Sequence, residues 1–339
     1  MSEPRSLWIE TTPETSYAAL SAKIDVDIVV VGAGIVGITA AFLLKRGGKS
    51  VAVVDSKRIL HGATGYTTAK VTAAHGIVYS RVEKKFGADG ARIYADANQS
   101  ALELIARLVE EESIDCEFER KTNYVYCESA DEAKQIEQEV EAARGAGLNG
   151  HLVKETPLPY AIHSALRLDD QAQFHPRKYL LCLAEAVDGD GSSVLESTRV
   201  LDVKGSSPVR IETASGTLTA RQVIVATQLP ILDRGFFFAK AHPERSYAVA
   251  ARIGSDDDPA GMYINIGKPT RSVRTARDEG GLLLLVGGRG TSPEPSPTRT
   301  RAIGHSRSSR AATGRRRRFR TDGRRRTTPR WTAFPTSAG

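Results

Sequence analysis

Apolar and polar positions along this chain switch between two periods, and the switches mark its elements. Residues 26–31, Val-Asp-Ile-Val-Val-Val, form a β-branched run of the kind that fills a central strand buried on both faces. "ITAAFLLKRGG" follows with helical periodicity and stops at Gly47 and Gly48, and "SVAVVD" reads as a second strand. Residues 79–112 predict a helix, with "ALELIARLVEEE" placing apolar residues three and four apart. "CEFERKTNYVYCES" alternates like sheet strands, and "ADEAKQIEQEVEAARGAG" predicts an amphipathic, charge-laced helix ending at residues 145–147. Residues 168–187 read as a loop entering a helix at His175-Pro176. Further strands are predicted in "SSVLESTRVLDV" and "GTLTARQVIVATQ". "ERSYAVAARI", "GMYINI", "RSVRTAR" and "GLLLLVGG" predict four antiparallel strands spaced about ten residues apart.

The first switch carries the chemistry. Between strand and helix lies Gly32-x-Gly34-x-x-Gly37, and the second strand ends in Asp55, 21 residues after Gly34. Gly32 suits the tight turn, Gly34 the close approach of backbone to a pyrophosphate, and Gly37 the close packing of helix on strand. The amides of Ile35 and Val36 would then face phosphates from a helix N-terminus, and Asp55 would accept ribose hydroxyls. An acid here disfavours a 2′-phosphate and hence NADP, despite Lys57 and Arg58 nearby; NAD and FAD both stay open. Residues 26–44 approach the ~20 apolar residues that span a bilayer. Asp27 and three regularly placed glycines instead favour strand, turn and buried helix, so no membrane span is expected.

Residues 58–76, "RILHGATGYTTAKVTAAHG", are rich in Gly, Thr and Ala, which suits backbone and hydroxyl contacts to an extended ligand. Together, "VVVGAGIVGITAAFLLKRG", "VVDS" and "GATGYTTAK" resemble the D-amino-acid oxidase family of flavoproteins, which includes glycine and sarcosine oxidases, over roughly residues 25–288. The resemblance implies an α/β fold, with a Rossmann-like FAD-binding domain around a parallel sheet and a mixed, largely antiparallel substrate domain. It implies FAD as cofactor. Asp55 and Ser56 would hold the adenosine ribose, and Ala63, Thr64, Thr68, Ala69 and Lys70 would line the diphosphate and the approach to the flavin. Val200 would touch adenine through its backbone, and a closing strand would end at Ala226-Thr227, where Gln228 replaces the family's glycine. The implied reaction is hydride transfer from a C–N carbon of an amine or amino acid to flavin, with oxygen or another acceptor restoring the cofactor. Tyr247, Arg252, Tyr263, Arg271 and Arg274 are candidates to hold a substrate carboxylate. His61 and His75 flank the threonine-rich loop, where solvated or capping roles suit them better than a covalent flavin link through His61. His175, beside a proline at a helix entry, suits a structural role better than a catalytic one.

Composition changes the picture only at the end of the chain. The 339 residues carry a net charge of +7, but residues 289–339 hold 14 Arg and only two acids, Glu294 and Asp322, leaving the first 288 residues at −5. That segment has no Leu, Val, Lys, Tyr, Asn or Gln, too little apolar matter to build a core. It predicts a disordered tail, with a nucleic-acid-binding arm as the less favoured reading. Regrouping its codons one base out of register, with the first base of each free, yields GHKPG from residues 289–294 and WSAQDYTxVDGVPYIG from residues 322–338. Those strings resemble the family's continuation, so the tail is expected to be an out-of-frame translation. In the family, the continuation supplies the last flavin-domain strand and a helix N-terminus facing the pyrimidine end of the flavin. The adenine and diphosphate site is therefore expected to be nearly complete, and the catalytic end incomplete. Relatives with this loop often carry a C-terminal Rieske domain, but this sequence holds no ligand pattern for one, and no metal is expected.

Three scattered cysteines without a C-x-x-C pair, together with a polar, acidic N-terminus, predict a reducing cytoplasm. The expected segments are an extension (1–24), flavin domain (25–80), substrate domain (81–150), flavin domain (151–232), substrate domain with return (233–288) and tail (289–339). Rival readings are an NAD-dependent oxidoreductase, or an inactive flavoprotein fragment whose arginine arm binds nucleic acid.

Overall fold

The computed structural model describes residues 6–229, 231–232, 246–289 and 332–336. A one-turn helix α1 (Leu7–Glu10) precedes β1 (Ile24–Val31), α2 (Ile35–Arg46) and β2 (Val51–Val54). A 3-10 turn (Ala63–Tyr66) and β3 (Lys70–Val71) lead to α3 (Tyr79–Glu111), β4 (Glu119–Cys127), α4 (Ala130–Gly145), β5 (Gly150–Val153) and β6 (Ser164–Gln173). Next come α5 (Pro176–Val187), β7 (Ser193–Leu195), β8 (Val200–Lys204), β9 (Val209–Thr213) and β10 (Thr217–Val225). The last elements are β11 (Ser246–Arg252), β12 (Met262–Asn265), β13 (Arg271–Asp278), β14 (Gly281–Arg289) and β15 (Thr332–Thr336).

These strands form two sheets, as the α/β reading expects. The six-stranded sheet runs β7-β2-β1-β10-β9-β8, with β7, β2, β1 and β10 parallel and the rest an antiparallel meander. Ile28 and Val30 of β1 pack into one core and Val29 and Val31 into another, so both faces of this central strand are covered and its valines run on without polar alternation. The α2 helix buries Gly37, Ile38, Ala41 and Phe42, and shares one core with Leu180, Leu183, Ala184 and Val187 of α5. Its end is tied down by Lys45 Nζ, which donates to the carbonyls of Val187 (3.1 Å) and Gly189 (3.0 Å). The charge in the apolar stretch is accounted for where β2 begins. Asp27 accepts the Ser50 amide and hydroxyl, each at 3.0 Å, and these bonds hold its carboxyl below the usual range.

The nine-stranded sheet runs β15-β11-β14-β13-β12-β4-β6-β3, with β5 added on β6. Strands β11 to β14 pair antiparallel among themselves, as expected, while β12 also joins β4 in parallel. Helices α3 and α4 share a core with this sheet through Tyr79, Ala91, Ala95, Ile136, Val140, Val125 and Leu166. The N-cap of α3 is Val78, which has no side-chain acceptor, so a carboxylate from α4 does that work. Buried Glu139 accepts the amides of Val78 (2.7 Å), Tyr79 (2.6 Å) and Ser80 (3.0 Å) and the Ser80 hydroxyl (2.7 Å). Glu139→Ala is expected to destabilise the chain by about 3 kcal/mol or more, since three amides and a hydroxyl lose a charged acceptor. Urea unfolding checks this, and a loss under about 1 kcal/mol would contradict the capping role.

Three placements differ from the sequence reading. Residues 168–173, expected as loop, form the second half of β6, because β4 supplies a partner and Thr122 and Arg167 bond the Asp169 carboxylate. The return from the second sheet, expected at residue 151, comes only at α5, since β5 and β6 both pair within the nine-stranded sheet. Within the expected tail, residues 332–336 pair antiparallel with β11, while the arginine run and most of the segment for which a shifted frame is expected lie outside the described residues. On the other sheet, β9 pairs β10 only from Thr217 to Ala220, so among the described residues no strand covers the outer edge of β10 from Arg221 to Val225.

Candidate functional site

The site begins where β1 stops. Val31 accepts the Ala226 amide (2.8 Å), and Gly32 donates to Val54 (2.8 Å) with φ at +103°, a left-handed turn that favours glycine. A Cβ on Gly32 would lie 2.8 Å from the Ala226 oxygen, and one on Gly37 would lie 1.8 Å from the Gly32 oxygen. The first intrahelical bond of α2 runs from Ile38 to Gly34 (3.0 Å), so the amides of Val36 and Gly37 have no acceptor within the helix. Ile35, expected to face phosphate through its amide, donates instead to Thr64 Oγ1 at 3.0 Å. The hydroxyl that receives this bond keeps its own proton to donate onward, so Thr64 extends the anion-binding end of the helix.

Asp55 closes the other side of the turn. Its carboxylate accepts the Ala33 amide (2.9 Å) on one oxygen and the Lys57 amide (2.9 Å) on the other, which fixes its direction. It opens into a cleft of about 560 Å³ whose walls include Gly32, Ser56, Arg199, Val200 and Thr227. Ala226 lies beside this cleft, against Gly32, and Thr227 Oγ1 donates to the Leu229 carbonyl (2.6 Å). The residues singled out for adenosine thus meet at one place.

From Thr64 the threonine-rich loop runs on to a second cavity of about 490 Å³, lined by Thr68, Lys70, Thr72, His75, Thr270, Ser272 and Gly287 among others. Ala63 begins the 3-10 turn, and Ala69 has φ at +53°, an uncommon conformation for a residue with a Cβ. Lys70 Nζ donates to the Tyr263 carbonyl (2.9 Å). Burial, and to a lesser extent Arg274, pull its pKa down to about 7. Ser272 Oγ in the same wall is buried without a hydrogen-bond partner.

The candidate carboxylate holders are placed elsewhere. Arg252 makes a two-pronged pair with Asp278 (2.9 and 3.0 Å), and Arg271 pairs with Glu128 (3.2 Å). Arg274 is buried against backbone carbonyls, where desolvation lowers its pKa to about 9. Tyr263 donates to Pro259 and stacks on Tyr124 at 5.0 Å, and Tyr247 is 41% exposed on β11. None of the five lines the second cavity; the cation among its described lining residues is Lys70, which the family resemblance placed along the diphosphate and the approach to the flavin. Alternation on a strand shows which face a side chain takes, but not whether a partner has already claimed it.

The histidines divide by partner. His175 caps α5, accepting the Lys178 amide (3.2 Å) and facing Thr11 Oγ1 (2.9 Å), and burial drives its pKa down to about 4. His61 sits 3.4 Å from Glu14, and burial lowers its pKa as well. His75 lines the second cavity, with Nε2 3.2 Å from Asn98. Among the described residues no group of three or more His, Cys, Asp or Glu side chains is placed to hold a metal. No described helix is long and apolar enough to cross a membrane.

A glycine turn that admits no Cβ, helix-start amides without an acceptor among the described residues, a fixed carboxylate and a hydroxyl-rich loop running from the start of α2 to the second cavity fit a flavin dinucleotide. The model of the FAD-dependent oxidoreductase family matches residues 27–334. The chain belongs to this family. It is 34% identical over 287 residues to the putative Rieske 2Fe-2S iron-sulfur protein YhfW of Bacillus subtilis, covering 84% of this chain and 56% of that protein. It is 26% identical over 223 residues to gamma-glutamylputrescine oxidoreductase of Escherichia coli, covering 64% and 52%. The chain therefore spans about half the length of these curated relatives. Its fold matches glycine oxidase from Geobacillus kaustophilus with a TM-score of 0.61 at 20% identity, covering 79% of this chain and 73% of that one. L-proline dehydrogenase from P. horikoshii gives 0.63 at 20% identity, covering 80% and 71%.

Proposed function

We propose that the chain binds FAD with its adenosine in the Asp55 cleft and its flavin end toward the second cavity, where a carboxylate-bearing amine is oxidised at its C–N bond. The observation that carries this reading is the cavity's inventory among the described residues: the cation Lys70 set among the hydroxyl-bearing Thr68, Thr72, Thr270 and Ser272, with no Asp or Glu among the described lining residues. Such a wall favours an anionic group and, among the described residues, offers no carboxylate to pair with an ammonium. The names of similar proteins, glycine oxidase, L-proline dehydrogenase and gamma-glutamylputrescine oxidoreductase, agree with an amino acid or an amine made from one.

The chain's own residues then have separable tasks. Gly32, Gly34 and Gly37 let backbone reach the diphosphate, Thr64 and the free amides of Val36 and Gly37 meet its charge, and Asp55 and Ser56 take the ribose hydroxyls. Lys70 holds the substrate carboxylate and so fixes the position of the adjacent carbon. Bound FAD supplies the two-electron acceptor for a hydride from that carbon. Oxygen or another acceptor would complete the turnover, and the outer edge of β10 is where a further flavin-domain strand would pair.

Anaerobic mixing of FAD-loaded protein with amino acids should bleach the visible flavin band, while the same amines without a carboxylate should not. Lys70→Met should raise KM about 10- to 100-fold, the worth of one charge-assisted hydrogen bond, and change kcat less. Because Lys70 is protonated below its lowered pKa, kcat/KM should fall as pH rises through about 7. Equal bleaching by the decarboxylated amines, with KM unchanged in Lys70→Met, would overturn the anionic-substrate reading.

A further inference from the structure

The carbonyl side of the threonine-rich loop is gripped from outside the FAD-binding motif. Ser6 Oγ donates to the Gly65 carbonyl, and the Trp8 indole Nε1 donates to the Thr67 carbonyl at 2.7 Å. Arg274 Nη1, arriving from β13, donates to the Thr68 (3.2 Å) and Ala69 (2.7 Å) carbonyls. Four of the five carbonyls from Gly65 to Ala69 are thus taken by three side chains from two segments distant in sequence.

Two of these side chains, Trp8 and Arg274, also brace one another. Trp8 is only 3% exposed, with the Arg274 guanidinium 5.3 Å from its ring and His175 edge-on at 4.8 Å. Carbons of Ile9 come within 3.1 and 3.4 Å of where a Cβ on Gly65 would stand, so α1 lies flat against the turn. The loop needs such support, because Ala69 holds a left-handed φ of +53° that persists only when its surroundings over-determine it. With its carbonyls engaged on this side, the loop presents Thr64 Oγ1 to the α2 amide end and Thr68 to the second cavity.

We propose that the segment around α1 is a clamp that sets the threonine-rich loop for FAD, with Trp8 and Arg274 as positioning residues, an inference that rests on the FAD site described above. An indole buried only for packing, once replaced by the smaller phenyl ring, would loosen the core that Trp8 shares with β1 and α5. A clamp would instead loosen residues 63–70 selectively, because the Thr67 carbonyl would lose its donor.

Trp8→Phe, with Ser6→Ala as a milder companion, separates the two. In the FAD-free protein, amide hydrogen exchange over residues 63–70 should quicken about 10-fold in Trp8→Phe, while exchange in β1 and α5 stays as in the wild type. The FAD dissociation constant, read by flavin fluorescence, should rise about 5- to 30-fold, with Ser6→Ala shifting both readouts less. Unchanged exchange over residues 63–70 in Trp8→Phe overturns the clamp, as does faster exchange spread evenly through β1 and α5. A wild-type chain that takes up no FAD would overturn the binding-site reading instead, and the exchange data would still judge the clamp.

Discussion

Gly37→Ala is expected to remove both the local fold of the cradle and the chain's hold on FAD. The added Cβ would sit 1.8 Å from the Gly32 oxygen, 3.0 Å from the Gly32 carbonyl carbon and 3.4 Å from Val30 Cγ1. Two of those atoms are backbone at the end of a strand paired on both sides, so they cannot rotate aside. Relief requires α2 to lift off β1, which opens the core that Ile38, Ala41 and Phe42 share with α5. Overpacking of this kind costs about 3 kcal/mol or more, and lifting the helix also displaces the amide end proposed to meet the diphosphate. Gly145→Ala is the control, since a Cβ there meets nothing within 4 Å, and it should leave unfolding and FAD binding unchanged. Thermal unfolding and FAD titration of the two variants check the contrast; a Gly37→Ala protein with wild-type FAD affinity would contradict the proposed packing.

Asp55→Ala is expected to raise the FAD dissociation constant about 100-fold or more. The carboxylate has two tasks at once. It fixes the glycine turn through the Ala33 amide and the following loop through the Lys57 amide, each at 2.9 Å, and in the proposed binding mode its remaining lone pairs take the ribose in the cleft. Charged hydrogen bonds of this sort contribute about 1.5–3 kcal/mol each, so losing one to the ligand costs about 10- to 150-fold, and loosening two amides brings the total to about 100-fold or more. Asp55→Asn keeps one carbonyl acceptor and replaces the other with a donor facing an amide, so it should fall between wild type and Asp55→Ala. Fluorescence titration with FAD ranks the three proteins. Equal affinity for all three would show that the ribose is held elsewhere.

The parts of this molecule written in local periodicity were legible in the sequence. The β1-α2-β2 unit with its three glycines and terminal Asp55 is where the pattern put it, because strand, tight turn and helix each impose their own spacing. The start of α5 was marked by a proline at its first position. What the sequence hid depends on partners far along the chain. Residues 168–173 carry two adjacent acids and look like a loop until β4 is beside them. Glu139 reads as one more charge on an amphipathic helix, yet it is buried as the cap of another helix 60 residues away from Tyr79.

The same limit shaped the candidate site. Five Arg and Tyr side chains on the late strands had the right chemistry for a carboxylate, but Asp278, Glu128, backbone carbonyls and Tyr124 engage four of them, and Tyr247 stands apart from the cavity. Lys70 was visible in the loop, though its place beside Ser272 required the second sheet to fold over it. Trp8 gave no signal at all, since nothing in the spacing of an N-terminal segment says that its indole will meet the Thr67 carbonyl.

The most direct test of the central claim is a titration of the purified chain with FAD, followed by its visible spectrum and by identification of the nucleotide released on denaturation. The account predicts a yellow protein that quenches flavin fluorescence saturably, releases FAD rather than NAD, and loses this behaviour in Asp55→Ala. A colourless chain that leaves flavin fluorescence unchanged in excess FAD would contradict it.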